Sequence, residues 1–265
     1  MTGPPFDPAA EAARLRRRLE RLAARPAWGK RKIFLRIGVP NLRQVVREDW
    51  VRLQDVDDPH LVALAESLWD GVTYDEMYLA VELLRLRPSL VSEALVDRLR
   101  DGLDNQAVTD DLATVVRDWV AEDPAERLTA VRGWIGEPGS WTRRLALLST
   151  VALSRAGAEV PKVLELIESA LDDRRTPVVN AVSAALRELT KSAPDRVEAF
   201  VEAHTEDLPA RVRLEVWNKL RFGRKDGKPP RRTRTTRSAE TTAARRRDRA
   251  DRRRRRRSPS GGSDA

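Results

Sequence analysis

At 265 residues, 41% of them hydrophobic, the chain is long enough to bury a sizeable core as one large or two small domains. It has no cysteine and only two histidines, which excludes a disulfide framework, a thiolate metal site and a cysteine nucleophile, so we expect no metal and no cofactor. No apolar run approaches the roughly 20 residues of a membrane span, and residues 1–10 lack a signal-peptide pattern, so we expect a cytoplasmic protein without a membrane partner.

The N-terminal region predicts one helix, followed by a break in the helical pattern and a basic triplet. Asp7 is suited to cap a helix that starts at Pro8 and extends to about residue 24. After a Pro/Gly-containing break, Lys30, Arg31 and Lys32 come directly before an apolar, aromatic stretch. A basic triplet in this position predicts contact with phosphate groups, and a solvated helix face is the alternative interpretation.

The rest of the folded body predicts helices only. Thr73 and Glu76 have the spacing of a capping box, and Asp57 has that of an N-cap. No segment shows sustained alternation of polar and apolar residues. Apolar residues recur at helical spacing in segments 42–50, 61–69, 77–84, 90–99, 105–120, 124–135, 140–155, 159–171, 176–191, 195–204 and 208–220.

About ten to twelve short helices in succession indicate an all-α protein. Helix pairs that recur every 35 to 45 residues, without a strict sequence repeat, favour a HEAT-like alpha-solenoid of antiparallel helix pairs over residues 1–222. A helix bundle of irregular topology is the competing architecture.

The C-terminal segment 223–265 differs sharply in composition from the body. It holds 17 Lys and Arg against 5 Asp and Glu, so its net charge is +12 and that of residues 1–222 is −3. With almost no apolar residues it cannot bury enough surface to fold, and we predict a disordered Arg-rich tail that binds polyphosphates in a salt-dependent way. A solubilising end without a dedicated target is the alternative.

Two predicted helix starts carry the charged and aromatic residues that are best suited to catalysis or ligand binding. Asp110 and Asp111 follow the start near residue 105, and Trp141, Arg143 and Arg144 follow the start near residue 140. If successive helices pack side by side, a carboxylate, a guanidinium and an indole meet on one rim, which suits an anionic ligand with a positively charged reactive centre. The alternatives are helix-start carboxylates, surface ion pairs and a core tryptophan.

Several motifs in the body match one known family. They occur in family order over residues 30–225, and the ordered set resembles the AlkD-type DNA alkylation repair proteins, a family of HEAT-like repeat DNA glycosylases. The motifs are Val39-Pro40-x-Leu42-Arg43, Leu64-Ala65-x-x-Leu68-Trp69, Asp75-Glu76-x-x-Leu79-Ala80, Asn105 with Asp110, Trp134, Trp141-x-Arg143-Arg144, Leu186-Arg187-Glu188 and Glu215-Val216-x-Asn218-Lys219-Leu220.

The resemblance implies a monomer associated with the nucleoid, whose partner is double-stranded DNA held on the concave face of the solenoid. It also implies hydrolytic removal of cationic N3- or N7-alkylated purines without flipping of the base. Asp110 falls on the catalytic carboxylate and Arg144 on the arginine that contacts a phosphate. Arg143, Trp141 and Gln106 are further candidates for DNA contact.

Two positions depart from the family pattern. The family has tryptophan where this chain has Gln106 and Ala184, so both aromatic walls of the site are replaced. The departure favours a non-catalytic module that recognises duplex or distorted DNA, whereas the resemblance over the whole body favours the glycosylase. A HEAT-type scaffold for protein interactions is the third interpretation.

Overall fold

The computed structural model describes residues 5–23, 26–29 and 31–227, so Lys30 and residues 228–265 of the predicted disordered tail lie outside the described part. Two short strands, β1 (Ala27–Trp28) and β2 (Ile33–Phe34), form an antiparallel hairpin. The helices are α1 Pro8–Leu22, α2 Val39–Leu53, α3 Asp58–Trp69, α4 Tyr74–Leu86, α5 Glu93–Arg100, α6 Gln106–Glu122, α7 Pro124–Gly136, α8 Ser140–Ser149, α9 Val151–Ala156, α10 Val160–Glu168, α11 Thr176–Leu189, α12 Pro194–Ala203 and α13 Ala210–Phe222.

Side-chain caps fix several of the helix starts. Asp7 accepts hydrogen bonds from the first turn of α1, and Asp57 accepts one from the first turn of α3. Thr73 and Glu76 form a complete capping box at the start of α4, and Asn105 caps α6. These caps satisfy amide groups that have no partner inside the helix, which confirms the starts predicted from the sequence.

The helices form two rows. α2, α4, α6, α8, α11 and α13 each pack against the next, and we call this succession the main row. Most of the other helices form a second row as antiparallel partners, such as α3 with α4 and α7 with α8, whereas α9 continues α8 and packs against α6 and α11. Buried apolar residues run through both rows as a continuous core. The predicted all-α solenoid of helix pairs is therefore confirmed.

One predicted helix is divided in two. Segment 140–155 forms α8 and α9, which meet at Thr150. The buried hydroxyl groups of Ser149 and Thr150 donate to the carbonyl oxygens of Ala146 and Leu147, at 2.7 and 2.8 Å. Such bonds compete with the helical hydrogen-bond ladder, and two in succession account for the break.

The hairpin between α1 and α2 was not predicted. The Gly29 amide donates to the Lys32 carbonyl at 2.8 Å, and the Ile33 amide donates to the Val72 carbonyl at 3.1 Å. The ring of Phe34 stacks on that of Tyr74, with centroids 4.2 Å apart. These contacts attach the hairpin to the start of α4.

Candidate functional site

Asp110 and Arg144 form a bidentate ion pair between two neighbouring helices of the main row. Nε and Nη2 of Arg144 on α8 donate to the two carboxylate oxygens of Asp110 on α6, at 2.7 and 2.9 Å. Nη1 of Arg144 donates to the carbonyl oxygen of Pro177, in the first turn of α11, at 2.9 Å. One guanidinium therefore connects three successive helices of the row.

The two partners differ in exposure. The Arg144 side chain is 5% exposed, whereas that of Asp110 is 37% exposed. The guanidinium is thus a buried clamp, and the carboxylate is the part of the pair that solvent or a ligand can reach. The planar, five-donor guanidinium suits this role because it holds both carboxylate oxygens in one geometry.

The pair lies at the wall of an open cleft of about 260 Å³ formed by α6, α8, α9 and α11. Three arginines and two carboxylates line this cleft, and none of its lining residues is aromatic. The arginines attract polyanions, while the carboxylates suit a cationic centre within such a ligand. The lining residues are Asp110, Ala113, Thr114, Arg117, Arg144, Leu148, Val151, Arg155, Ala184 and Glu188.

A second polar layer lies beside Asp110, toward α4. Arg85 on α4 donates to the Asp111 carboxylate and to the Thr114 hydroxyl, each at 2.9 Å. Burial raises the pKa of Asp111, and its Oδ2 is buried without a hydrogen-bond partner among the described residues. Burial, followed by the charges of Asp111 and other nearby carboxylates, raises the pKa of Tyr78 to about 12. Tyr78 is therefore neutral at physiological pH.

The remaining residues predicted near this site have separate surroundings. Arg143 donates to the Glu137 carbonyl at 2.7 Å and pairs with Asp173 at 3.2 Å, away from Asp110. Trp141 is partly buried against the core, and Gln106 is exposed at the start of α6. The DNA contacts predicted for these three side chains stay predictions.

The basic triplet belongs to the hairpin. The Lys32 ammonium donates to the carbonyl oxygen of Trp69 at 2.7 Å and to that of Gly71, at the C-terminal end of α3, and burial lowers the pKa of Lys32. The Arg31 side chain is exposed, while its amide donates to the Tyr74 hydroxyl at 3.3 Å. Lys30 lies outside the described residues, and the predicted phosphate contacts stay predictions.

Two of the arginines that line the cleft, Arg117 and Arg155, were not predicted from the sequence. Thr114 and Arg117 follow Asp110 by four and seven residues, so helical spacing alone places them on the same face of α6. Arg155 could not be found in this way, because it lies beyond the break between α8 and α9.

Residues 5–23, 26–29 and 31–227 contain no group of three or more His, Cys, Asp or Glu side chains that could hold a metal ion. Across the same ranges, no helix has the length and apolarity required to cross a membrane.

Comparison with known proteins gives one family match. The chain is similar to a predicted DNA alkylation repair enzyme from Enterococcus faecalis, with a TM-score of 0.59 and 16% identity over 73% of this chain and 88% of that one. It is also similar to AlkD2 from Streptococcus mutans, with a TM-score of 0.58 and 18% identity over 82% and 99%. These likenesses show the fold, and no curated protein matches. The family model described as DNA alkylation repair enzyme matches residues 12–220, and the chain therefore belongs to that family.

Proposed function

We propose that this protein binds duplex DNA along the main row and hydrolyses the N-glycosidic bond of purines made cationic by alkylation at N3 or N7. Asp110 is the catalytic carboxylate in this proposal. The observation that carries it is the Asp110 carboxylate itself, which reaches an open cleft while a buried guanidinium fixes its orientation.

The reaction demands little from the protein because a cationic base is already a good leaving group. The bond between C1′ and the purine nitrogen breaks, and its electron pair goes to the base, which neutralises it. The sugar gains oxocarbenium character, which a fixed carboxylate stabilises electrostatically. A water oxygen then bonds to C1′ and releases a proton, so the products are free base and an abasic site.

Arg144 acts in this proposal as a positioning residue. Its Nε, Nη1 and Nη2 all donate within the protein, and its side chain is almost fully buried. Phosphate contacts then belong to Arg117 and Arg155, which line the cleft. Their partners Asp118 and Glu188 form ion pairs at the protein surface, and such pairs are weak enough for a phosphate to compete with.

A non-catalytic DNA-binding module is the second candidate function. It is favoured by the absence of aromatic side chains among the lining residues, since an aromatic face is the usual neutral partner for a cationic nucleotide. Ala184 contributes only a methyl group to the cleft wall. In this alternative the Asp110–Arg144 pair serves to hold α6, α8 and α11 together.

Release of free base from a duplex that carries a single N7-methylguanine distinguishes the two functions. We expect release by the unmodified protein and a loss of about 100-fold or more in Asp110→Asn, because a preorganised electrostatic group contributes on that scale. Glu165→Gln on α10 is the matched control and is expected to retain full activity, since it removes an exposed carboxylate that does not line the cleft. Duplex binding without any release above the buffer rate would support the non-catalytic module.

A further inference from the structure

One stretch of the body is basic throughout. Residues 21–47 contain eight Lys and Arg and no Asp or Glu, although residues 1–222 as a whole carry a net negative charge. Arg43 pairs with Glu82, and Lys32 binds backbone carbonyls. Four arginines of this stretch are exposed and form no ion pair within the described residues: Arg21, Arg31, Arg36 and Arg47.

Trp28 lies in the middle of this stretch and is 83% exposed. The other six tryptophans are buried or partly buried, so Trp28 is the only tryptophan, among seven in the described ranges, that presents most of its indole to solvent. An indole that stays in solvent does not contribute the large stabilisation that its burial would give. An exposed aromatic side chain beside unpaired positive charge is typical of a nucleic-acid contact.

The hairpin holds Trp28 in a fixed position. Trp28 pairs with Ile33, while Phe34 on the opposite face of the hairpin stacks on Tyr74. A Cβ atom at Gly29 would overlap the Tyr74 ring, so the turn approaches α4 as closely as the backbone allows. The backbone that carries the indole is therefore already held in place before a ligand binds.

Arg36 is directed outward by a strained backbone. It has a φ of 58°, a left-handed conformation that is uncommon for a residue with a side chain. Its two neighbours explain the strain, because the amides of Leu35 and Ile37 both donate to the buried Asp75 carboxylate, at 2.7 and 3.2 Å. Because the amides on both sides of Arg36 point toward the buried Asp75, the Arg36 side chain lies in solvent.

The Tyr74 hydroxyl links the hairpin to the start of the helix that carries Asp110. The Tyr74 hydroxyl accepts from the Arg31 amide and donates to the Asp104 carboxylate at 2.8 Å. Asp104 directly precedes Asn105, the N-cap of α6. The hairpin is thus connected through Tyr74 to the N-terminal end of α6, a helix of the main row.

We propose that Trp28, Arg31 and Arg36 form a second DNA-contacting surface, which we call the hairpin surface. The two guanidinium groups contact phosphates of the duplex, and the indole inserts as a wedge at a base step, because the faces of paired bases are covered inside an intact duplex. This inference rests on the proposed binding of duplex DNA and adds a contact outside the cleft. It also supplies an aromatic side chain, which the cleft lacks.

Acrylamide quenching of the full-length protein tests the hairpin surface. Trp28 is the most exposed tryptophan of the described ranges, so we expect Trp28→Phe to lower the quenching slope of the free protein. An undamaged 20-base-pair duplex is expected to lower the slope of the unmodified protein at least about two-fold and to leave that of Trp28→Phe almost unchanged. Residues 228–265 are present in both proteins and therefore do not affect the comparison.

Affinity for the same duplex supplies the second measurement. We expect Trp28→Ala to weaken binding about 5- to 100-fold, and Arg31→Ala and Arg36→Ala each to reduce the dependence of log K on log salt by about one. Arg132→Ala is the matched control, because Arg132 is an exposed arginine on α7 that pairs with Glu165.

The outcomes separate this inference from the proposed function. Unchanged quenching with duplex, or Trp28→Ala binding as tightly as the control, would overturn the hairpin surface and leave the cleft proposal untouched. Protection of Trp28 without any base release would overturn the glycosylase and support the hairpin surface. Failure of the unmodified protein to bind duplex would overturn both.

Discussion

The exposure difference between Asp110 and Arg144 predicts an unequal effect on stability. We compare Asp110→Ala with Arg144→Met, which remove opposite halves of the same ion pair. Without Asp110, a guanidinium that is 5% exposed keeps its charge and retains, among the described residues, only the Pro177 carbonyl as a partner. Without Arg144, a carboxylate that is 37% exposed can be hydrated by water. We therefore expect loss of the carboxylate to cost more free energy of unfolding.

The magnitudes follow from the burial of each charge. Removing one partner of a buried pair costs about 3–5 kcal/mol because it leaves an uncompensated charge, and Asp110→Ala falls in this class. Arg144→Met loses charged hydrogen bonds but fills the same space with an apolar chain, which predicts about 1–2 kcal/mol. The double variant should be no less stable than Asp110→Ala, so the coupling energy should be at least about 1–2 kcal/mol.

Urea denaturation followed by circular dichroism at 222 nm measures these free energies. The exposed pair Arg132–Glu165 is the control, since both of its side chains are more than half exposed and its coupling should stay below about 1 kcal/mol. If Asp110→Ala lowers the free energy of unfolding by no more than Arg144→Met does, the interpretation of Arg144 as a buried positioning residue is refuted. The same argument explains why Asp110→Asn, which retains a hydrogen-bonding oxygen, is the appropriate variant for the excision assay.

Two further predictions concern the cleft and pH. Ala184→Trp places an indole on the cleft wall and should accelerate base release about 5- to 30-fold in single-turnover assays, from about 1–2 kcal/mol of attraction between the indole face and the positive charge that develops on the sugar. An unchanged rate would contradict a cationic transition state at this wall. Burial raises the pKa of both tyrosines, Tyr74 and Tyr78, and that of Tyr78 to about 12. The contribution of the two tyrosines to the free energy of unfolding should therefore be constant well below pH 10, where the folded and unfolded states are both protonated, and be lost between pH 10 and about 12. Tyrosinate absorbance at 295 nm near pH 10 in the folded protein would contradict this.

Local sequence signals accounted for the helices. Caps such as Asp7, Thr73 and Asn105 act within one turn, so residue type and spacing were enough to place the starts of α1, α4 and α6. The hairpin was missed because strands of two residues are too short to show alternation. The break at Thr150 was missed because its hydroxyl can bond the backbone or point elsewhere, and sequence does not say which.

The site was predicted in part. The expectation that the starts of α6 and α8 lie together on one rim agrees with the direct contact of Asp110 with Arg144. The phosphate contact implied for Arg144 is untested, and its burial favours a positioning role instead. No role was predicted for Trp28 from the sequence, because the exposure of its side chain depends on which surfaces the other helices cover.

The sequence by itself determined the helical repeat, the caps and the family, because each depends on residue type and short-range spacing. Tertiary structure alone decided which of two adjacent arginines meets the carboxylate. Successive residues of a helix differ in direction by about 100°, so Arg144 faces Asp110 while Arg143 turns to Asp173. Only the packing of α6, α8 and α11 against one another fixes that choice.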